Sequence, residues 1–445
     1  MDSLVRNLKN FIAFKSESFR SNAPLAYHAG RVLKKSGFKV SYQKIRHRGV
    51  VFVNVVGVKG SGRAPLVLCA HLDTVPAGQR KKWTATGGDP WKARLLSGNI
   101  YGLGSADDKG PLVSMIEAGK KFSSSKLNRP LVIAGTFGEE STMLGAQVLA
   151  RLWKKSKPCL VIAGEPTDLE VVYRHKGIGA LQIELEGRAK KTVLPTLRQT
   201  HEFHGKSGHS SRPWTGKNAL EKAVRFLKSL LAKDPQARIE RLEGGHAVNL
   251  IPDKAVVTLG DVFPAAAIVD CHDAVRALMG AMSLRADRSF RPQVITSNFG
   301  VAKMDRGVLR LLFDFRLLPA QSMEKIFSRL EKNLSKKLAR YRGLGFKIKI
   351  ERDHPPLGAD KKDPLPQKGL QWLKEAGLSP VLGVKSGCTE AGIYARMGIG
   401  ALVFGPGKSL NNIHAPNERV PVSQLKKAVN FYAHVIQKVC VEKVV

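Results

Sequence analysis

Apolar runs that end in glycine or an acid recur along the first 175 residues, as VVFVNVVGV, APLVLCAHLD, PLVIAGTFGEE and PCLVIAGEP, and the pattern returns near the C-terminus as GALVFGPG. Unbroken apolar character over such short runs predicts strands buried on both faces. Stretches between them, such as 110–122 and 143–155, space their apolar residues as helices do. Alternation of this kind predicts an α/β fold, a doubly wound mixed sheet with helices on both faces. At the N-terminus, Leu4, Leu8, Phe11 and Ile12 fall at helical spacing with acids nearby, which predicts a surface helix and not a secretion signal.

From about residue 176 the pattern changes. Strands are expected at GALQIELEG, LRQTHEFHG, AVVTLGDVF, VLRLLFDFRL and FKIKIE, with helices at about 216–232, 270–283 and 322–340. That is an α+β block with a helix-backed antiparallel sheet. After residue 353 the α/β character resumes with a helix over 366–376, the strand LVF and a C-terminal helix from 422. The expected organisation is one domain built from 1–175 and 353–445, interrupted by a smaller inserted domain over 176–352.

A chain of 445 residues, 43% hydrophobic and 24% charged, is long enough for two cored domains and has no bias toward disorder or fibre. No apolar stretch reaches the length of a membrane span. Five scattered cysteines, Cys69, Cys159, Cys271, Cys388 and Cys440, form no CxxC pair. They argue for free thiols in a reducing compartment, hence a cytoplasmic location, and against a thiolate-bound metal. The net charge of +37 would suit a polyanion, an anionic membrane or an acidic substrate. Its lysines and arginines are spread along the chain in short clusters, with no basic helix, zinc-finger spacing or aromatic RNA-binding signature, so neither a nucleic acid nor a membrane is expected as partner.

Ligands of open α/β sheets gather beyond the carboxyl ends of the strands. The residues expected there are His71 and Asp73, Asp107 and Asp108, Glu139 and Glu140, Glu165 and His414. Each has an ordinary reading on its own, His71 as a satisfied loop histidine, Glu139 and Glu140 as helix N-terminal charges. Together, two histidines and several carboxylates without a thiol are a donor set for a pair of hydrolytic zinc, cobalt or manganese ions.

Seven motifs, HLDTVP, YGLGSADDKG, GTFGEES, AGEPT, GKSGHSSRPWTGKNAL, SGCTEAGIYARMG and FGPG followed by IHAPNE, occur in this order between about residues 68 and 420. In these motifs the chain resembles the co-catalytic di-metal family of acetylornithine deacetylase, succinyl-diaminopimelate desuccinylase, carnosinase and carboxypeptidase G. The resemblance implies a zinc-exopeptidase-like catalytic domain with a ferredoxin-like inserted lid or dimerisation domain, and hence a homodimer. It implies that His71, Asp107 and Glu165 hold one ion and Asp107, Glu140 and His414 the other, zinc first, with cobalt or manganese as alternatives. Asp73 matches the acid that fixes the His71 tautomer, and Asp108 falls at a variable position. Glu139 matches the general base that activates a hydroxide bridging the ions.

In the inserted block, His209 matches a lid histidine that stabilises the oxyanion across the dimer, or is a turn histidine in a serine-rich loop. Asn249 matches a substrate-contacting asparagine. Arg316 is either an anchor for a substrate carboxylate or an ordinary strand-end arginine. Gly387, Cys388 and Thr389 resemble the segment lining the substrate pocket. The CTEA stretch is similar to that of acetylornithine deacetylase, and Ile393 or Tyr394 stands near the place where the desuccinylase carries an arginine. The implied function is hydrolysis of the amide of an N-acyl amino acid. A dipeptidase or glutamate-type carboxypeptidase is the alternative, and a non-catalytic polyanion-binding protein on the same fold a third. Stretches 188–198 and 264–294 have no counterpart in the resemblance.

Overall fold

The computed structural model describes residues 2–153, 157–187 and 199–442; the unmatched stretch 188–198 lies outside them. The chain forms two compact units. The larger comprises Met1–His175, Leu357–Lys385 and Thr389–Val445, and the smaller Lys176–Pro356 with Ser386–Cys388. The chain returns to the larger unit at Leu357, a few residues after 353, because strand Gly345–His354 stays paired with Gly177–Glu186 as far as His354 opposite Ile178.

An eight-stranded mixed sheet organises the larger unit, in the order 39–47, 50–59, 131–136, 66–71, 160–164, 401–404, 171–175, 382–385. Strands Leu131–Thr136, Leu66–His71, Leu160–Gly164 and Ala401–Phe404 are mutually parallel neighbours at its centre. Every residue of these four is buried, as their unbroken apolar runs require. Parallel alignment brings their carboxyl ends to one edge of the sheet, and that edge carries His71, the GEE turn, Glu165 and the loop to His414.

Helix Lys109–Gly119 is buried along nearly its whole length and packs on helix Val422–Ile436. The latter is fixed to the sheet through aromatic rings. Phe431 stacks on Phe404 at 3.8 Å between centroids, Tyr432 meets Phe404 edge-on, and the Tyr432 hydroxyl donates to the Phe404 carbonyl at 2.7 Å. The N-terminal helix Ser3–Ile12 buries Leu4, Val5, Leu8, Phe11 and Ile12 in the same core. The expected strand Val50–Lys59 forms a hairpin with Lys39–His47, a strand absent from the sequence expectation, and the turn passes through Arg48 and Gly49, both with positive φ. Two such residues give the twist that a two-residue hairpin turn needs.

In the smaller unit seven strands pair antiparallel throughout, in the order 200–204, 254–264, 238–244, 296–305, 308–317, 177–186, 345–354. Helices Ala219–Lys233, Ala265–Met282 and Met323–Leu338 share one core with this sheet. Met323–Leu338 shows why the sequence folds so. The Ser322 side chain accepts the Lys325 N–H, Met323, Ile326, Leu330, Leu334 and Leu338 make one buried stripe, and Lys336 and Lys337 occupy the last turn. The helix expected from 270 begins at Ala265, because Ala265, Ala266 and Ala267 favour helix and follow directly on Pro264. Much of the unmatched stretch 264–294 is therefore ordinary helix.

Truncation of Phe431 to alanine is expected to destabilise the larger unit by about 3–5 kcal/mol. Urea denaturation followed by near-UV circular dichroism measures the loss, and a change under about 1 kcal/mol would refute the role given to the stacked pair.

Candidate metal centre

The GTFGEES motif leaves the sheet at Thr136 and turns at Gly138, whose φ is +74°. The Gly138 carbonyl accepts the N–H groups of Ser141, Thr142 and Met143, and a Cβ on Gly138 would lie 2.9 Å from the Thr142 hydroxyl. Glycine therefore suits the turn on both counts. The next two N–H groups, of Glu139 and Glu140, both donate to the Asp73 carboxylate, at 3.1 and 3.2 Å. Ser18 donates to the same carboxylate at 2.9 Å, from a segment whose Ser16 and Ser18 bind the backbone of Leu72 and Thr74. Asp73 thus ties the end of one parallel strand to the turn after its neighbour.

This arrangement corrects the expectation for Asp73. The His71 Nδ1 bonds the Asp73 carbonyl at 2.9 Å, while the Asp73 carboxylate is 3.7 Å away and occupied by N–H groups. The tautomer of His71 is set by the Asp73 backbone, which directs Nε2 into the centre.

Asp107 and Asp108, joined by a cis peptide, diverge. Asp108 accepts the His71 N–H at 3.2 Å and is fully buried beneath the strand ends. Asp107 spans two histidines: its Oδ1 is 2.9 Å from His71 Nε2 and its Oδ2 3.3 Å from His414 Nε2. His414 also lies 3.0 Å from Glu140 and holds φ at +57°, an uncommon conformation for a residue other than glycine. Glu165, one residue past its strand, accepts Lys385 Nζ at 2.7 Å. Ligating atoms of His71, Asp107 and Glu140 all lie within 4.8 Å of one another, and so do those of His71, Glu139 and Glu165. Glu139 therefore stands among the donors on the Glu165 side, a position compatible with a ligand or with a base beside one.

The Asp107 loop has its own anchor. The buried Glu418 carboxylate accepts the N–H groups of Gly104, Ala106 and Asp107 at 2.8 to 3.1 Å. A small ribbon, Arg419–Pro421 paired with Asn99–Tyr101, brings Glu418 there.

Crowding of acids governs the electrostatics. Burial raises the Glu139 pKa well above the carboxylate norm, with the Glu165 charge adding to it, and burial together with the Asp107 charge raises Glu140. Burial alone would lower the histidines, yet the acids overcome it. Asp107 above all lifts His71 well above its usual value, and Asp107 and Glu140 push His414 up to about 11. Lys385 is likewise lowered by burial and raised, on balance, by Glu165. The cluster gathers positive charge onto every group able to carry it. Its donors are imidazole nitrogens and carboxylate oxygens with no thiol among them, so its residues fit a pair of divalent ions.

The remaining expected residues divide. In the smaller unit, the ribbon pairing His209 with Leu250, and the Asn249 carbonyl accepting the Ser210 N–H, bring His209 and Asn249 together. His209 Nδ1 accepts the Ser211 N–H, which leaves Nε2 as the protonated donor. Burial, with Arg316 and Arg212 nearby, lowers its pKa and keeps the ring neutral. Arg316 is corrected as a free anchor: it is buried, and its Nε and Nη2 donate to Asp314 at 3.0 Å and Ser210 at 2.8 Å. That edge of its fork is used internally. Thr389 is corrected as a substrate contact: fully buried, its hydroxyl accepts the Ala391 N–H and bonds His175 at 3.0 Å. Gly387, where a Cβ would meet nothing within 4 Å, is open. Cys388 Sγ lies 3.8 Å from His354 Nδ1 in the smaller unit. Sequence reasoning missed Ser18, Lys385, Glu390 and Glu418. Only Glu418 and Glu390 had a visible signal, as acids inside the IHAPNE and CTEA motifs.

Comparison with known proteins follows the same lines. The model for peptidase family M20/M25/M40 matches residues 67–438. An acetylornithine deacetylase of Myxococcus xanthus is 27% identical over 458 aligned positions, covering 99% of this chain and 98% of that protein. Among solved structures, an aminoacylhistidine dipeptidase of Vibrio alginolyticus superposes with a TM-score of 0.65 at 18% identity over 99% of this chain and 97% of that one. An M20 family metallo-carboxypeptidase of Sulfolobus solfataricus gives 0.62 at 19% identity, over 98% and 99%. At such identities these structures establish a shared fold.

Two measurements test the centre. Chelation is expected to lower the melting temperature by several degrees and added manganese or zinc to restore it, because ions bound only by the folded state stabilise it; an unchanged melting curve would count against a metal centre. The second concerns Glu390, beneath the strand ends, which accepts the Thr136 hydroxyl at 2.8 Å and whose pKa burial pushes up from 4.5 to about 7. A raised carboxyl pKa contributes stability that is complete below the unfolded value and lost as pH rises through the folded one. The metal-free wild type should therefore lose stability relative to Glu390→Gln between about pH 5 and about pH 8. Parallel urea midpoints across that range would contradict it.

Proposed function

Because the chain belongs to peptidase family M20/M25/M40 and is accordingly a metallohydrolase of amide or peptide bonds, we propose that it cleaves the amide of an N-acyl amino acid bearing a free carboxylate. One observation carries this reading: the two oxygens of Asp107 face the Nε2 atoms of two different histidines, His71 and His414, a placement that would let one carboxylate serve two ions. His71 and Glu165 would complete one set of ligands, Glu140 and His414 the other.

When bound, two divalent ions, zinc or else cobalt or manganese, would supply Lewis acidity and make a water molecule in the site more acidic. Glu139 then accepts the proton of the attacking water and returns it to the leaving amine. Asp73 holds this carboxylate in place through the Glu139 N–H. The neutral His209, with its proton on Nε2, is suited to donate to the oxyanion. In this reading the smaller unit is the contact of a homodimer, through which His209 serves the centre of the other subunit, and Asn249 and Gly387 meet the substrate.

An acetyl group is favoured over a succinyl group by two observations. The Myxococcus xanthus relative bears the name of a deacetylase, and Ile393 and Tyr394, near the place of the desuccinylase's arginine, are both buried and carry no positive charge. Cysteines that form no disulfide among the described residues support a cytoplasmic setting. No helix among the described residues is long and apolar enough to cross a membrane.

Substitution Glu139→Gln is expected to lower turnover by about 10²- to 10⁴-fold while both ions remain bound. Metal analysis of the purified variant distinguishes the roles, since loss of an ion would make Glu139 a ligand. Release assays over acetylornithine, a dipeptide panel and a folate-like glutamate conjugate test the substrate. Preference for a dipeptide or for the conjugate would replace the deacylase reading by its peptidase alternative.

A further inference from the structure

Lys385 ends strand Leu382–Lys385, which pairs parallel with Val171–His175 at the margin of the larger sheet. Its Nζ reaches Glu165 Oε2 at 2.7 Å, with the lysine side chain 17% and the carboxylate 7% exposed. Among the described residues, no other lysine or arginine is ion-paired with an acid of the centre. The two halves of the site are therefore unequal. On the side of Asp107 and Glu140 the opposing group is His414, which becomes a ligand itself once its Nε2 is free of a proton. On the side of Glu165 it is an ammonium, which has no lone pair to offer while it holds its proton and can only oppose a cation at the same oxygen.

We propose that Lys385 is a resident cation that competes with the ion on the Glu165 side, so that the centre loads in order, the Asp107–Glu140–His414 half first, and stands half-filled when metal is scarce. An entering ion must share the Glu165 carboxylate with Lys385 or draw it away, and in either case accept a positive charge as a close neighbour. Removing the ammonium leaves a buried carboxylate with no counter-charge, a costly state that a divalent ion relieves. A lysine that merely supported the fold would act in the opposite sense, and its loss would weaken metal binding. The inference rests on the two-ion reading given above.

Calorimetric titration of the metal-free full-length protein with manganese, with stoichiometry checked by elemental analysis, tests it. The wild type is expected to take up two ions in distinct steps. Lys385→Met, which keeps length and removes charge, should tighten the weaker step by on the order of tenfold or more. Lys385→Arg, which keeps the charge, should leave the weaker step weak. Circular dichroism and the melting temperature report whether each variant is folded. If Lys385→Met does not fold, the wild type and Lys385→Gln decide. Two wild-type sites of equal affinity, or a weaker step that removal of the charge leaves unchanged or loosens, overturn the proposal while the two-ion reading stands. A wild type that binds no ion, or one only at any concentration, overturns the two-ion reading and the proposal with it.

Discussion

Repulsion among acids gathered at one edge of a parallel sheet is the constraint on which the larger unit turns. Asp107, Glu139, Glu140 and Glu165 meet there because parallel strands deliver their carboxyl ends to the same side. Left alone they would drive each other apart or bind protons. The shifted histidines and glutamates are the trace of that conflict, with His414 held protonated to about 11 and Glu139 held well above a normal carboxyl. A centre in this condition is suited to multivalent cations because nothing else relieves so much repulsion in so little space.

Acids that do not face the cations hold the centre in shape. Asp73 and Glu418 each use a carboxylate to collect backbone N–H groups, two from the GEE turn and three from the Asp107 loop. Charge-assisted bonds of this kind are stronger than neutral ones and fix the backbone from which the candidate ligands hang. They also account for irregular chain being tolerated where several loops meet: N–H groups that would otherwise be buried without a partner have one. In the smaller unit the buried Asp314 collects side-chain donors instead, the Arg316 Nε and the Ser210 hydroxyl.

Much of the fold was legible because it rests on burial. The runs at 66–71, 131–136, 160–164 and 401–404 are apolar on both faces and could be read as central strands. The hairpin strand Lys39–His47 is largely exposed, with charged residues through its length, and shows no such contrast. In the site, the identity of the residues at the strand ends followed from topology and from the motifs, but their bonding did not. Asp73 was expected to reach a histidine and instead reaches backbone. The pairing of Arg316 with Asp314, two residues apart on one strand and so on one face, was accessible to the period-two rule. That of Lys385 with Glu165 was not, since 220 residues separate them and nothing local marks Lys385.

The position of strand Ala401–Phe404 has a consequence for how the protein is made. It lies between Leu160–Gly164 and Val171–His175, two strands that leave the ribosome far earlier. Until the segment from residue 401 onward is made, the sheet lacks the strand between these two, and Asp107 lacks both His414 and the Glu418 clamp. The candidate centre is therefore incomplete until that segment is in place, and a chain ended before residue 401 would keep His71, Asp107, Glu139, Glu140 and Glu165 but lack the strand, the histidine and the clamp that complete their setting.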